Sequence, residues 1–511
     1  MTIEPAETRT ASVLRSTNPR TGELVGECAD MTADEVESVI AEARRAADGW
    51  AQRPVRDRAR HLRAIRREWI RRAPELARLD AAETGKSLID AAYEVLAVSI
   101  NLDWCSWNAR RGLRTRRAGT FPTVAKRARI EYDPYGVIGV ISPWNYPAGI
   151  PMQVIPWALA AGNTVVLKPS ELSPLTGILL ADIINGAGAD VVHVATGGAT
   201  AGGALASSRG IDKIEFTGSG PTAKHVLRGA AEHITPVVME LGGKDALIVT
   251  DGADIDAAAR TAVGAAFFNA GQTCMATERV IATPGVHDEL VAAIRAETAK
   301  VVVGADPSSH VGPLTMPGSL DRVIARIDDA VADGATIIAG GTRRAAGYGQ
   351  YLEPTVLIDV PAHAEVLTEE NFAPVMCIQR ARDVDHAVEL SNRVDLGLSG
   401  SVFAANRDEA RSIARRLDTG GVVVGDAMVG ASLAGVAFGG VKGSGYGRLQ
   451  GFDGFREFSR SRAVIEPRIN VSLMATLAGP RPDPGRILAI ARALRGGGGL
   501  RSRLQALRGS G

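Results

Sequence analysis

The sequence predicts an α/β fold built on parallel β-sheets, and three observations support this prediction. The chain has 511 residues, 45% of them hydrophobic, which suffices for two or three domains with sizeable cores. From Tyr135 onward, short apolar runs alternate with segments of helical length, as in a parallel sheet covered on both faces. A second block of the same kind extends from about Leu241 to Val424. Ligands of such sheets bind beyond the carboxyl ends of the strands.

The N-terminal part, about the first 110 residues, is predicted to be helical. Thr32 and Glu35 have the spacing of a capping box, and apolar residues follow at helical intervals. A second helix, Asp57 to Leu79, carries many arginines that we interpret as a solvated face, opposite an apolar side formed by Leu62, Ile65, Trp69 and Ile70. The basic segment from Arg114 to Tyr132 is interrupted by a glycine and a proline. We expect two strands of an arm there, which would pair with a second subunit.

The alternating region predicts a series of strands with helices between them. The predicted strands of the first block are Val137–Ile141, Thr164–Leu167, Val191–Val194, Lys213–Phe216 and Val237–Met239. The predicted helices between them are Met152–Ala161, Leu175–Asn185, Ala201–Ser208 and Pro221–Glu232. The predicted strands of the second block include Ala246–Val249, Thr336–Ile338 and Val423–Val424.

Composition and charge exclude several classes of protein. The formal net charge is +1, whereas a dedicated nucleic-acid-binding protein normally has a basic excess, so no nucleic-acid partner is expected. The four cysteines lack CxxC spacing, which argues against a zinc site and against a secreted disulfide framework. The segment from Met1 to Leu14 lacks the apolar core of a signal peptide, and no apolar run is long enough to span a membrane. These observations favour a cytoplasmic location.

The C-terminal segment from Asn470 to Gly511 differs from the rest in charge. It carries seven arginines and one acid, so the preceding part of the chain has a slight acidic excess. Two apolar stripes at helical spacing run between the arginines, formed by Ile487, Ile490, Ala491 and Leu494, and by Leu500, Leu504 and Leu507. A basic amphipathic segment can make a peripheral contact with an anionic membrane. Docking on a neighbouring subunit and an unstructured end are the alternatives.

Two of the predicted strands end in segments with recognisable chemistry. In Ile141–Pro147, two prolines bracket Trp144 and Asn145 and restrict the backbone, so that the Asn145 amide could stabilise an oxyanion; a rigid turn is an equal alternative. In the segment Lys168–Glu171, the lysine and the glutamate could bind ribose hydroxyls, although an exposed ion pair is the commoner reading.

Three further segments lie at turns that follow strands or precede helices. The glycines of Phe216–Gly220 would let a phosphate approach a helix N-terminus, although the signal is weak by itself. Met239–Lys244 contains the carboxylate of Glu240, which could activate water. Asn269–Cys274 ends in a cysteine that could be a nucleophile, whereas a single cysteine is more often a small buried residue.

Taken together, the order and spacing of these segments resemble the aldehyde dehydrogenase superfamily from about residue 15 to 465. Three more segments match signatures of that family, namely Leu352–Thr355, Glu369–Pro374 and Phe438–Gly445. The resemblance implies that Cys274 is the nucleophile, forming a thiohemiacetal and then a thioester with an aldehyde. It implies that Asn145 holds the oxyanion and that Glu240 is the general base for hydrolysis. Members that transfer the acyl group to coenzyme A typically lack this glutamate, so the implied product is the free acid.

The resemblance also implies a nicotinamide dinucleotide cofactor. The matching positions are Ile141, Trp144, Lys168, Glu171, Gly198, Ser219, Gly242, Glu370 and Phe372. The Glu171 carboxylate would repel a 2′-phosphate, which favours NAD, with NADP as an alternative because some relatives with this glutamate use both. Ala373 stands where the family usually has glycine, and its methyl group could shift the loop beside Phe372. No metal is implied.

The substrate is less well defined by the resemblance than the reaction. The positions that match the family's substrate tunnel are Tyr146, Ile150, Gln153, Phe268 and Met275, although Ile150 and Met275 could equally be core residues. They are mostly apolar and lack the arginine of many succinate-semialdehyde dehydrogenases, which favours an uncharged aliphatic or aromatic aldehyde. A succinate-semialdehyde dehydrogenase is the alternative, because the overall pattern also resembles that subgroup. A catalytically silent scaffold protein is the alternative of another class, and ester hydrolysis would be a side activity.

The implied architecture is an aldehyde dehydrogenase-like fold, with two Rossmann-like, doubly wound α/β domains and a β oligomerisation arm. Its expected parts are a cofactor-binding domain (1–113, 133–239 and 426–450), a catalytic domain (240–425), an oligomerisation element (114–132 and 451–469) and the basic tail (470–511). The family relationship implies a homodimer or a homotetramer.

Overall fold

The computed structural model describes residues 12–120, 126–306, 308–469, 483–485 and 488. The chain divides into two compact units. The larger unit consists of Met1–Arg114 and Tyr132–Ser461, and the smaller unit consists of Thr115–Glu131 and Arg462–Gly511. All four cysteines of the chain are free thiols.

The described residues form strands and helices that are numbered here in chain order. The strands are β1 (Val13–Thr17), β2 (Leu24–Ala29), β3 (Arg116–Ala118), β4 (Lys126–Pro134), β5 (Val137–Ile141), β6 (Thr164–Lys168), β7 (Val192–Val194), β8 (Lys213–Thr217), β9 (Val237–Glu240), β10 (Asp245–Val249), β11 (Thr277–Ala282), β12 (Thr336–Ala339), β13 (Arg343–Arg344), β14 (Tyr351–Leu352), β15 (Thr355–Ile358), β16 (Val375–Arg380), β17 (Leu396–Gly397), β18 (Ser399–Phe403), β19 (Gly421–Val424), β20 (Val441–Lys442), β21 (Gly445–Tyr446) and β22 (Ser459–Pro467). The helices are α1 (Ala33–Ala51), α2 (Val55–Thr84), α3 (Leu88–Gly112), α4 (Ile155–Ala161), α5 (Pro174–Asn185), α6 (Ala199–Ser207), α7 (Gly220–Ala231), α8 (Ile255–Phe267), α9 (His287–Thr298), α10 (Ser319–Ala332), α11 (Glu365–Thr368), α12 (Val384–Asn392), α13 (Arg407–Ala414) and α14 (Gly451–Glu457).

The N-terminal part is helical from α1 to α3, but the segment before α1 is a β-hairpin. The prediction of helix there was wrong, because the backbone N–H groups of Asn18 and Gly22 donate to Glu23 O and Asn18 O (2.8 Å each) and close a turn. Gly22 has a φ of 76°, which suits glycine in such a turn.

The predicted capping box is confirmed, with the Thr32 N–H donating to Glu35 Oε2 (2.8 Å) and the Glu35 N–H donating to Thr32 Oγ1 (3.4 Å).

The first sheet of the larger unit has six strands in the order β21-β9-β8-β5-β6-β7. All of its strands except β21 run parallel to their neighbours. The five strands predicted for this block are confirmed to within one residue at each end. Strands β5 and β6 are buried throughout, and the residues of β5 and the three central residues of β6 are accordingly apolar without alternation. The carboxyl ends of β5, β6, β8 and β9 therefore lie at one edge of the sheet.

The second sheet of the larger unit has seven strands in the order β12-β15-β16-β11-β10-β18-β19. Its strands are parallel apart from β12, which runs antiparallel to β15. Helices α8, α9 and α10 contribute to the apolar core on one face, and α12 and α13 to the core on the other. The fold is thus α/β, with two largely parallel sheets, as the sequence predicts.

The smaller unit contains residues of a three-stranded sheet in the order β22-β4-β3. The two strands predicted for the arm are present, and β22 lies in the segment 451–469 that was assigned to the oligomerisation element. Glu466 holds β22 to β4 through Arg127 and Arg129, with N–O distances of 2.6 and 3.2 Å. All residues of the two apolar stripes predicted in the basic tail lie outside the described residues. In the part of the chain that is described, no helix is long and apolar enough to cross a membrane.

Candidate active site

A cavity of about 850 Å³ lies where the carboxyl ends of β5, β6, β8 and β9 meet loops of the second sheet. The predicted catalytic residues Cys274, Glu240 and Asn145 all line it. So does every other residue predicted to contact cofactor or substrate except Gly198. Gly198 lies at the start of α6, where its N–H donates to Asp30 Oδ1 (3.3 Å). The sheet edge predicted to carry the site is therefore the edge at which the cavity opens.

Cys274 follows a tight turn between α8 and β11. Asn269 and Ala270 have φ values of 50° and 56°, and the next residue, Gly271, leaves no room for a Cβ, which would lie 2.2 Å from Ala373 O. Cys274 is half-buried and lines the cavity. Burial raises the pKa of the Cys274 thiol, and the carboxyl groups of Glu370, Asp245 and Glu240 raise it further. The thiol is therefore protonated at rest and must lose its proton before it can attack.

Asn145 lies in the loop after β5, beside the turn that carries Cys274. Its Nδ2 donates to Gln272 O (2.9 Å), and its backbone oxygen accepts from Asn269 Nδ2 (3.1 Å). An Asn amide has two N–H donors, so the second remains available for an oxygen at the cavity surface. Because these two bonds tie Asn145 to the cysteine turn, the amide is held in one orientation, as an oxyanion donor requires.

Glu240 ends β9 and is 4% exposed. Neither of its carboxyl oxygens has a hydrogen-bond partner among the described residues. Burial raises its pKa well above the ordinary value for a glutamate, and the neighbouring Glu215 adds to the rise, whereas Arg448 opposes it. A carboxyl group with a raised pKa is suited to accept a proton and release it again.

Glu370 lies against the main chain that follows β9. Its Oε1 accepts from the Gly243 N–H (3.3 Å), and a Cβ on Gly242 would lie 2.2 Å from its Oε2. Burial raises the pKa of Glu370 to about 8. Phe372, two residues later, packs edge-on against Trp144 with ring centroids 5.6 Å apart. The loop that carries Glu370 and the loop that carries Trp144, both predicted to contact the cofactor, are therefore in contact with each other.

Lys168, Glu171 and Ser219 lie at the ends of the neighbouring strands. Lys168 Nζ is 3.5 Å from Glu171 Oε2, and the lysine side chain is 7% exposed while the glutamate side chain is 52% exposed. Burial lowers the pKa of Lys168. Ser219 caps α7, and its Oγ accepts from the Thr222 N–H (3.4 Å). A basic group, an acidic group and a helix N-terminus in this arrangement fit the ribose and phosphates of a dinucleotide.

The residues predicted to contact the substrate also line the cavity, and the part of the lining that they form is called here the substrate wall. The Tyr146 hydroxyl is 2.6 Å from Thr273 Oγ1, next to Cys274. Phe268 packs edge-on against Tyr93, with ring centroids 6.5 Å apart. Gln153 lines the cavity, as do Ile150 and Met275, which are buried elsewhere on their surfaces. This wall is mostly apolar and aromatic.

Two supporting glutamates were not predicted from the sequence. Glu94 Oε1 accepts from the N–H groups of Ala148 (2.9 Å) and Gly149 (2.6 Å), and its Oε2 pairs with the buried Lys86. Glu278 accepts from the N–H groups of Asn371 (3.0 Å) and Phe372 (3.1 Å) and pairs with the buried Lys244. The sequence feature that could have pointed to these glutamates is a charged residue next to apolar residues. In β11 this residue is Glu278.

Comparison with known proteins decides the family. The model of the Aldehyde dehydrogenase family matches residues 6–464. The chain belongs to the aldehyde dehydrogenase family. A chloroplastic aminoaldehyde dehydrogenase of Arabidopsis thaliana is 35% identical over 448 residues, covering 85% of this chain and 89% of the relative. A Mycobacterium ulcerans protein with the provisional name succinate-semialdehyde dehydrogenase (NADP+) 2 is 35% identical over 473 residues, covering 91% of this chain and 90% of the relative.

Solved structures of the aldehyde dehydrogenase family have the same fold. A crystal structure of betaine aldehyde dehydrogenase from Staphylococcus aureus, in complex with NAD+, superposes with a TM-score of 0.86. It is 29% identical, and the match covers 92% of this chain and 94% of that chain. The resemblance inferred from the motifs and the predicted fold class are confirmed, and the protein is an oxidoreductase of the aldehyde dehydrogenase type.

The buried ion pair between Glu278 and Lys244 generates a prediction about stability. Glu278→Gln would leave Lys244 charged and unpaired in the interior, so we expect the free energy of unfolding to fall by about 3–5 kcal/mol. Glu365→Gln is the matched control, because Glu365 pairs with Arg326 at the surface with a 70% exposed side chain, and such pairs contribute about 0–1 kcal/mol. Denaturant unfolding of both variants measures the difference. Equal losses would contradict a special role for Glu278.

Proposed function

We propose that this protein oxidises an aldehyde to the carboxylic acid, with NAD or NADP as the oxidant and Cys274 as the nucleophile. The observation that carries the proposal is the shared cavity, in which the Cys274 thiol, the Asn145 amide and the Glu240 carboxyl group converge. The same cavity has an apolar wall on one side and dinucleotide-type residues on the other. A thiol, an amide donor and a base are the groups that acyl chemistry through a thioester requires.

The residues of the chain supply each step of the proposed mechanism. The Cys274 thiol gives its proton to water in the cavity, and its sulfur forms a bond to the aldehyde carbon as the carbonyl electrons move to oxygen. That oxyanion accepts hydrogen bonds from Asn145 Nδ2 and from the Cys274 backbone N–H. When bound, the nicotinamide supplies the hydride acceptor. Glu240 then takes a proton from water, which attacks the thioester carbon while the C–S bond breaks and the acid leaves.

The cofactor would be held at the carboxyl ends of β6, β8 and β9. Lys168 and Glu171 would bind the adenosine ribose, Ser219 at the start of α7 would meet the pyrophosphate, and Glu370 would bind the nicotinamide ribose. Gly242 supports this fit, because a side chain there would collide with Glu370. The Glu171 carboxylate would repel the 2′-phosphate of NADP, so NAD is the preferred cofactor.

The substrate would be an uncharged aliphatic or aromatic aldehyde. The arginines that line the cavity are Arg322 and Arg326, one turn apart on α10, and Arg326 donates to Glu370 O (2.8 Å) at the cofactor loop. The lining also includes Glu94, which pairs with the buried Lys86, shared with Asp80, and accepts two backbone N–H groups. The predicted substrate residues Tyr146, Ile150, Gln153, Phe268 and Met275 include no cation, which disfavours succinate semialdehyde, the alternative.

The arm supports assembly of the protein as a homo-oligomer. Strand β3 is a short edge strand of the three-stranded sheet, and an exposed edge of this kind is suited to pairing with another chain. A homodimer and a homotetramer are both compatible with it.

Substitutions of the two reacting residues test the proposed mechanism. Cys274→Ala removes the nucleophile, so we expect no aldehyde-dependent NADH, whereas Cys28→Ala, at a free cysteine outside the cavity, keeps the activity.

Glu240→Gln removes the base, so we expect steady-state kcat to fall about 100-fold and the pre-steady-state NADH burst to fall less. Stopped-flow absorbance at the NADH band gives both. A Glu240→Gln enzyme with the wild-type kcat would contradict the assignment of the base.

Cofactor preference provides a second test. Glu171→Gln removes the charge that would repel a 2′-phosphate, so we expect kcat/KM for NADP to rise about tenfold relative to NAD. Glu369→Gln, at another acidic residue of the cavity, is the control and should leave the ratio unchanged. An unchanged ratio in Glu171→Gln would show that residue 171 does not face the ribose.

The substrate class can be tested with a panel of aldehydes. We expect kcat/KM for hexanal and benzaldehyde to exceed that for succinate semialdehyde by at least about tenfold, because the substrate wall offers no cation for the carboxylate. NADH and NADPH formation measure the rates with either nucleotide. The reverse order would indicate that the protein is a succinate-semialdehyde dehydrogenase. The absence of turnover with every aldehyde would indicate a catalytically silent scaffold protein.

A further inference from the structure

Helix α3 presents a row of exposed apolar side chains beside the candidate active site. Each is between 48% and 69% exposed, and the row consists of Ile89, Tyr93, Leu96, Ile100 and Trp107. Their spacing along the sequence places them on one face of the helix. The opposite face packs into an apolar core, so α3 is largely apolar all round. A helix of this kind is normally covered on every side, which indicates that the exposed row has a partner.

A loop near α3 extends this exposed apolar surface. Residues 427–438 include no charged side chain, and Leu433 and Val436 are both half exposed. The loop lies beside α3, because Gln450 Nε2 donates to Ala431 O (2.9 Å) and to Asn101 Oδ1 (3.4 Å). The row on α3 together with Leu433 and Val436 is called here the apolar rim.

The cavity of the candidate active site reaches the surface at the apolar rim. Tyr93 belongs to the row and also lines the cavity, as do Ala97 of α3 and Ala431 and Ser432 of the loop. The Tyr93 ring contacts Phe268 of the substrate wall. An apolar molecule at the rim would therefore lie next to the substrate wall.

Arginines without ion-pair partners flank the apolar rim. Arg66 on α2 pairs with Asp103 on α3 (2.7 Å), which places this side of α2 next to the exposed row. Arg63, one turn before Arg66, and Arg67, the next residue, are exposed, as is Arg110 at the end of α3. These three have no ion-pair partner among the described residues and are called here the free arginines.

The acidic residues of α2 and α3 leave the free arginines without a partner on this surface. Each of them is either buried or paired with another arginine, namely Asp80, Glu83, Asp90 and Glu94 in the first group and Asp57, Glu68, Glu75 and Asp103 in the second. A second copy docking through the same face would bring the free arginines of both copies together, which is unfavourable. An anionic bilayer offers apolar chains to the rim and phosphate groups to the arginines.

We propose that the apolar rim docks on the surface of an anionic lipid bilayer, with the free arginines at the lipid headgroups. Trp107 suits this boundary, because its rings are apolar and its indole N–H is a polar donor. The cavity then opens towards the bilayer, so that an apolar aldehyde dissolved there enters the substrate wall directly. This entry route rests on the function proposed above, whereas the docking does not.

Sedimentation of the full chain with vesicles tests the docking. We expect binding to vesicles of equal parts phosphatidylcholine and phosphatidylglycerol, weakened by added salt, and little binding to phosphatidylcholine alone. The double variant Leu96→Ser/Ile100→Ser should lower the partition coefficient at least about tenfold, because it removes two apolar side chains from the contact. Ile178→Ser/Val302→Ser, at exposed apolar residues away from α3 and the loop, is the matched control and should bind like the wild type. None of the four substituted residues lines the cavity.

Two results would overturn the docking. If Leu96→Ser/Ile100→Ser binds the anionic vesicles as tightly as the wild type, another part of the chain, such as the basic tail, makes the contact. If the wild type binds neither kind of vesicle, the bilayer is not the partner. Size-exclusion chromatography then shows whether the rim variant is a smaller species than the wild type, which would assign the rim to a contact between copies.

NADH formation tests the entry route separately. With decanal supplied in the anionic vesicles, we expect the rate of Leu96→Ser/Ile100→Ser to fall about tenfold, in line with its weaker binding, while the rate with propanal in solution stays at the wild-type value. An unchanged rate with decanal in vesicles overturns the entry route alone. A wild type that forms no NADH with any aldehyde overturns the proposed function and the entry route, whereas vesicle binding needs no turnover and is judged by itself.

Discussion

Burial of carboxyl groups around one thiol is the constraint on which the site depends. Glu240, Glu370 and Asp245 all lie in the interior near Cys274, and burial raises the pKa of each of them and of the thiol. In such surroundings a fixed negative charge is costly, so protons are held near the reacting atoms and are exchanged between groups. A site of this kind is suited to a reaction in which a thiol and a water molecule must each give up a proton.

Two other buried acidic groups near the site have rigid, charged partners. Two buried lysines, Lys86 and Lys244, pair with Glu94 and Glu278, and these two glutamates also accept backbone N–H groups from the loops that form the cavity walls. The same glutamates thus satisfy the lysines and fix the loops. Removing either partner of such a pair leaves an uncompensated charge in the interior, which links the stability of the fold to the geometry of the site.

Prediction from the sequence succeeded where the signal was local. The strands of the first sheet, the capping box at Thr32 and the position of the arm depend on patterns within a few residues, and the structure has them where they were predicted. The hairpin before α1 was missed, because its largely exposed strands lack a clear apolar alternation. Glu94 and Glu278 were missed because the backbone N–H groups that they hold, at Ala148 and at Asn371, lie far away in the sequence, and contacts of this kind cannot be inferred from a local pattern.

The sequence by itself determined the strand–helix alternation of the first sheet, the family and the residues to which the proposed chemistry is assigned. Their motifs are short, and each lies directly after a strand or before a helix, so local backbone preferences suffice to place them. Only the tertiary structure decided which side chains share a cavity, that Gly198 does not line it, and that the apolar row of α3 is exposed beside it. The physical reason is that strand register and burial set these contacts and the protonation states that follow, and both depend on the packing of segments distant in sequence.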